Sequence, residues 1–132
     1  MPEFSERSSC RAPAEEVWKL LHDPGRFPEW WAGTERVEPG DDGAVTRYLD
    51  GWPDFPMPTS VAAGRDGAIV ISCLRSDIVH EWTLSPHPDG CEVRVRVELP
   101  EREAGRIDAQ RREVGGSLTG LVALAERSAA AG

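Results

Sequence analysis

Apolar residues recur along this chain with two different periods, and the switches between them divide it into elements. From Ala12 to Asp23 the spacing is helical. Val17, Leu20 and Leu21 form an i, i+3, i+4 stripe. Pro13 suits a first helical turn, where its missing N–H costs nothing, and Glu15 and Glu16 sit at the positive end of the helix dipole. Pro24-Gly25 stops this helix, and His22 in its last turn reads as a carbonyl-end cap rather than a catalytic group. Phe4 to Arg11, just before it, is a candidate strand with Phe4 and Cys10 on one face. Arg26 to Trp31 reads as a short second helical turn, with one tryptophan inside and its neighbour at a rim.

From Glu35 the period becomes two. The segments Glu35–Glu38, Ala44–Asp50, Thr59–Gly64, Ala68–Leu74, Ile78–Ser85 and Cys91–Leu99 are predicted strands. Turns fall at Pro39–Gly43, Arg65–Gly67, Arg75–Asp77 and Pro86–Gly90, and Gly51–Pro58 reads as a loop of prolines and aromatics. The last strand alternates without a fault. Val93, Val95, Val97 and Leu99 share one face and Glu92, Arg94, Arg96 and Glu98 the other, so the sheet is buried on one side. After Pro100 the helical period returns from Glu101 to about Ala130, a predicted helix of roughly 45 Å at 1.5 Å per residue. Its stripe is Ile107, Val114, Leu118, Leu121, Val122 and Ala125. Gly115, Gly116 and Gly120 interrupt it, each at about 1 kcal/mol relative to alanine, which a bend, close packing or room for a ligand can offset.

The chain has 132 residues, 39% hydrophobic and 29% charged, which suits one globular α+β domain spanning 1–132. A formal net charge of −8 disfavours nucleic acid and anionic membrane as partners. No apolar run approaches the ~18 residues of a membrane span. The N-terminal residues lack a basic stretch followed by an apolar one, and the three cysteines form no CxxC pair or disulfide framework. A cytoplasmic protein with reduced thiols is expected. Oligomeric state stays open between monomer and homodimer.

The motifs Ala12-Pro13-Ala14-Glu15-Glu16-Val17-Trp18, Asp23-Pro24, Pro28-Glu29-Trp30-Trp31, Glu81-Trp82-Thr83-Leu84 and Asp89-Gly90-Cys91-Glu92-Val93 come with the amphipathic C-terminal helix. In these the chain resembles the START-type, birch-pollen-allergen-like (SRPBCC) superfamily, and within it the bacterial polyketide cyclase/dehydrase-like branch. The resemblance implies a helix-grip fold: a seven-stranded antiparallel sheet curling around the last helix, two short helices after the first strand closing one end, and an apolar cavity between. The superfamily includes lipid carriers, receptors, aromatase/cyclases and co-chaperone domains, so fold alone does not choose an activity.

In an up-and-down sheet alternate turns share an end. Gly51–Pro58, Arg75–Asp77 and Pro100–Glu101 therefore meet around one opening. There Trp52, Phe55 and Met57 read either as a lid over a pocket mouth or as apolar groups tucked onto the sheet edge. Arg75 reads as a ligand-orienting fork held by Asp77, or as part of a solvated turn. On the strand from Ile78, His80 shares the inward face with Trp82 and Leu84. It is either a satisfied core histidine or a general acid/base with a near-neutral pKa. Glu81 on the other face is expected to pair with Arg94 or Arg96. Tyr48 donates to a ligand if its strand turns it inward, and lies at the surface if Arg47 and Leu49 point in. Candidate catalytic residues are thus His80, Arg75 and Tyr48. Candidate ligand contacts are Trp52, Phe55, Met57, Asp77, Trp82, Val95, Val97, Val114, Leu118 and Leu121. The histidines lack metal-ligand spacing, and no P-loop, GxGxxG or GxSxG is present, so no metal or cofactor is expected. Three readings follow: a carrier or sensor for a small apolar or aromatic molecule held in the internal cavity, a cofactor-independent polyketide cyclase, aromatase or dehydratase, and an interaction module with a filled core.

Overall fold

The computed structural model describes residues 2–40 and 44–131. The chain runs β1 (Glu3–Cys10), α1 (Ala14–Leu21), α2 (Phe27–Trp30), β2 (Thr34–Pro39), β3 (Ala44–Leu49), β4 (Trp52–Ala63), β5 (Ile69–Cys73), β6 (Val79–His87), β7 (Gly90–Glu98) and α3 (Ile107–Ala131). The strands form one antiparallel sheet in the order β1-β7-β6-β5-β4-β3-β2. β2 to β7 are a meander of neighbours, and β1 closes the far side against β7. α3 packs on β1 and β7 and is backed by α1 and α2. This is the helix-grip arrangement.

The alternation in β7 is realised as read. Val93, Val95, Val97 and Leu99 are fully buried while Arg94 is exposed. Burying four such side chains contributes about 1.5–3 kcal/mol each. In β1, Phe4 and Cys10 are buried on the same face, and Cys10 lies directly opposite the buried Cys91. On the outer face Arg96 draws in Glu3, Glu81 and Glu98, so Arg96 rather than Arg94 is the partner of Glu81. His22 caps α1 through its backbone N–H to the Trp18 carbonyl, and its ring lies 3.6 Å from the Trp18 ring, tilted by 35°.

Residues 51–58 are the first correction. They are not a loop, because β4 starts at Trp52 and continues for 12 residues. Met57 opposes Arg47 and Pro58 opposes Thr46 on β3, while pairing with β5 begins only at Thr59. Over this overhang β4 is an edge on one side. Prolines are tolerated there because that side asks for no ladder donor. Smaller corrections concern ends. β6 reaches His87, which leaves Pro88-Asp89 as the turn, and residues 41–43 of the Pro39–Gly43 turn lie outside the described residues. The C-terminal helix begins with a 3-10 stretch, Glu101–Arg106, and becomes α-helical at Ile107.

Trp30 and Trp31 are both buried, at 4% and 5% exposure, against the expectation of one inside and one at a rim. Trp31 ends α2 in an extended conformation (φ −83°, ψ 105°), which frees its ring from the helical direction. The two indoles stack at 5.9 Å and 15°, Phe27 meets each of them edge-on, and Trp30 meets Trp82 edge-on at 5.5 Å. These rings occupy the hollow between sheet and helix. The glycines of α3 separate by function. A Cβ on Gly120 would come within 2.9 Å of the Trp30 carbonyl oxygen, so this glycine permits the close approach of α2. A Cβ on Gly115 would meet nothing within 4 Å.

Candidate functional site

The interior is not a large void. Trp82, Val95, Val97, Val114, Leu118 and Leu121 were expected to line a chamber, and all six are instead packed into the core at 0–5% exposure. What remains open is a cavity of about 40 Å³ where α3 stands away from β3, β4, β5 and β6. That is space for a few waters at about 10–15 Å³ each. Its lining combines apolar Leu49, Met57, Ile71 and Ile78 with polar Arg47, His80, Gln110 and Glu113. Partly exposed Leu49 and Met57 and exposed Arg106 form the rim.

Arg47 is the centre of this cluster. It points inward from β3 between Val45 and Leu49, at 6% exposure. Its guanidinium carbon lies over the Trp31 indole, 3.8 Å from the ring centroid, and one Nη donates to Glu113 Oε1 at 3.3 Å. Stacking of this kind and the planar fork of donors suit arginine for a partly desolvated position. The fork is only half used, because Arg47 Nε is buried with no partner among the described residues. The Gln110 Oε1 acceptor, in the same cavity, is buried and unpartnered as well.

His80 faces the same space at 6% exposure, with its ring 5.5 Å from Trp31. Burial, followed by the nearby charge of Arg47, pushes its pKa down to about 4, and the neighbouring Gln110 amide opposes this only in part. The imidazole is therefore neutral at pH 7. Burial raises the carboxyl of Glu113 above the ordinary range, opposed by the charges of Arg47 and Arg106. Ser117 fixes this part of α3. Its hydroxyl accepts from Ala32 N–H at 3.0 Å and donates to the Glu113 carbonyl at 2.8 Å.

The other residues named from sequence lie around the mouth or away from it. Met57 lines the cavity. Trp52 and Phe55 are 63% and 49% exposed on the β4 overhang, with Phe55 on the face that Met57 occupies two residues later. Arg75 is exposed. It lies over the Phe55 ring at 4.7 Å and donates to the Pro56 carbonyl at 3.3 Å. Asp77 does not hold Arg75; its carboxylate takes Arg102 at 2.6 Å, which ties the β5–β6 turn to the start of the C-terminal segment. Asp77 has φ +61°, a left-handed conformation that aspartate tolerates. Tyr48 is the clear correction. It lies on the outer face, with the Arg36 guanidinium over its ring and its hydroxyl donating to Glu38 at 3.3 Å. The register that buries Val45 and Arg47 puts Tyr48 on the opposite side.

Arg47, Gln110, Glu113 and Trp31 were not singled out from sequence. The signal for Arg47 was the parity of Val45, Arg47 and Leu49, which gives the arginine the same face as two apolar neighbours. For Gln110 and Ser117 it was helical spacing from Val114, Leu118 and Leu121.

Comparison with known structures places this geometry. The chain aligns with the Zhui aromatase/cyclase from Streptomyces sp. R1128 at a TM-score of 0.75 and 17% identity, over 96% of this chain and 94% of that one. It aligns with a Nitrosomonas europaea protein at 0.73 and 12%, over 96% and 95%. A START superfamily protein from Mycobacterium smegmatis gives 0.69 and 13%, over 92% and 97%. At these identities the likeness is one of fold. A search of curated proteins finds no match. No described helix is long and apolar enough to cross a membrane. The sequence model of one family, described as polyketide cyclase / dehydrase and lipid transport, matches residues 1–126, and with nearly the whole chain covered the protein belongs to that family.

Proposed function

We propose that this protein binds a small molecule with an apolar or aromatic body and a polar head. The head enters the cavity beside Arg47, His80 and Gln110. The body rests on Leu49, Met57 and Ile78 and reaches the exposed rings of Trp52 and Phe55. The observation that carries this reading is the convergence of three buried polar side chains on one cavity whose rim carries apolar Leu49 and Met57 beside Arg106. Membership of a family described by cyclase, dehydrase and lipid transport activities supports a small-molecule ligand.

A second argument is energetic. Replacing a buried ion pair by packed apolar groups is often neutral or stabilising by about 1–4 kcal/mol. A domain that needed only a filled core would have little use for Arg47 against Glu113. This weighs against an interaction module without a ligand. It also changes the expected carrier: the ligand is held at a mouth, head first, and not swallowed whole.

Untargeted mass spectrometry of molecules co-purifying with the protein identifies the ligand class. Cys73→Phe tests the location, because Cys73 lines the cavity and a phenyl ring exceeds the available space. The variant is expected to keep its fold and lose the ligand, and unchanged affinity would overturn the reading.

A catalytic reading rests on one observation, the neutral imidazole of His80 beside a guanidinium in the same cavity. At a pKa of about 4 the imidazole lacks the near-neutral value expected of a general base, so its part is to hydrogen-bond and orient a substrate oxygen, while the arginine stabilises an enolate oxygen in a cofactor-independent cyclisation or dehydration. His80→Ala is then expected to stop turnover while ligand still binds. Undiminished turnover would remove that role.

A further inference from the structure

The half-used fork of Arg47 specifies the head group more narrowly. Glu113 takes one Nη at 3.3 Å, while Nε of this cavity-lining side chain stays buried and unpaired among the described residues. Carboxylates bind arginine best through two parallel N–H···O bonds. Resting on the site assignment above, we propose that this cavity takes a carboxylic acid, whose carboxylate moves onto Arg47 while Glu113 takes up one proton from solvent.

The charge count requires the proton. Arg47 and Glu113 now cancel. Arg106 is exposed at the mouth and already pairs with Glu103 at 3.4 Å, so an added carboxylate would leave two anions sharing the one buried guanidinium, Arg47, where like charges in proximity force one carboxyl to hold its proton. Glu113 is the group suited to do so, because burial has already raised its pKa. The groups facing it from packed elements are Arg47 on β3, Arg106 in the 3-10 turn and the Trp31 indole, with His80 on β6 lining the same cavity. Gln110 lines the same cavity, and the NH2 of its amide is a donor that a carboxylate can use. No covalent step is involved. One proton leaves the buffer and ends on Glu113, and Arg47 changes partner.

The test uses hexanoate and 1-hexanol, which share a chain and differ in the head. Calorimetric titration at pH 7 in phosphate and in Tris, whose ionisation enthalpies differ, counts the protons taken up. The His80 ring resonances report whether the probe occupies this cavity. Hexanoate is expected to bind at least tenfold more tightly than 1-hexanol, with close to one proton taken up. Its affinity is expected to fall by up to about tenfold per pH unit above the Glu113 pKa, the slope of a one-proton linkage. In Glu113→Gln, checked for folding by near-UV circular dichroism, uptake and pH dependence are expected to vanish. Equal binding of both probes without proton uptake overturns the carboxylate assignment and leaves the site assignment standing. Uptake that persists in a folded Glu113→Gln overturns the role of Glu113, and the wild-type proton count tests the proposal even if that variant misfolds. If neither probe moves the His80 resonances, the site assignment itself falls.

Discussion

Acidification should expose His80 as a stability switch, and the size of the effect follows from its burial. The imidazole has its pKa depressed from 6.5 to about 4, chiefly by desolvation and then by Arg47. A depressed pKa means that the unfolded chain binds the proton more tightly. Stability is therefore full above pH 6.5 and is lost as pH falls toward 4. Inside that window the loss is about 1.4 kcal/mol per pH unit. Between pH 7 and pH 5 it amounts to about 2 kcal/mol. Glu113 acts in the opposite direction. Its raised pKa favours folding as pH falls, so the total curve is shallower than the His80 contribution alone. The comparison with His80→Gln isolates that contribution, since Glu113, His22 and His87 are common to both proteins. Urea unfolding followed by tryptophan fluorescence at pH 5, 6 and 7 gives the two stabilities. The wild-type advantage over His80→Gln is expected to shrink by about 2 kcal/mol from pH 7 to pH 5. A difference that stays constant across this range, or an NMR titration placing His80 at pH 6 or above, would refute the claim that its environment excludes the charged form.

Three further outcomes follow from the packing. Arg47→Met is expected to destabilise by about 3 kcal/mol, because Glu113 is left partly buried without its cation, while Arg47→Met with Glu113→Leu returns to wild-type stability or above; denaturant midpoints of the two variants decide this. Gly115→Ala is expected to stabilise by about 0.5–1 kcal/mol, since the new methyl meets open space within a helix, whereas Gly120→Ala costs about 1–3 kcal/mol by driving a Cβ to 2.9 Å from the Trp30 carbonyl oxygen; melting temperatures should move in opposite directions. Trp52→Ser and Phe55→Ser are expected to change stability by less than about 0.5 kcal/mol, as both residues are exposed, yet to weaken binding of a ligand with an apolar body in an equilibrium titration.

Much of the fold was legible because its strongest signals are local. The alternation along β7 and the stripe on α3 need no distant partner to be read, and Pro24-Gly25 and Pro100 mark real ends. The β4 overhang was misread because its prolines argue against a strand. Only the knowledge that β5 stops short at Cys73 shows that this flank needs no donors. The tryptophan pair was misread for a related reason. Helical geometry separates adjacent side chains by about 100°, but Trp31 has already left the helix.

The site was less legible, and the physical cause is long-range pairing. An arginine in a strand reads as a surface residue, because burying a lone guanidinium is prohibitive. Arg47 goes inside only because Glu113, 66 residues later, and the Trp31 ring meet it there. No local pattern carries that information. The same distance effect explains the missing chamber. Phe27, Trp30 and Trp31 arrive from α2, and Gly120 lets the α2 backbone seat against α3 closely enough for those rings to reach Trp82. That glycine, which from sequence left room for a ligand as one option, admits an aromatic plug instead. The hollow of the grip is filled as far as Trp31, and the space left lies against that ring, where Arg47, His80 and Glu113 already stand. Under the proposed function, a ligand is selected by what meets those three groups and not by what volume it fills.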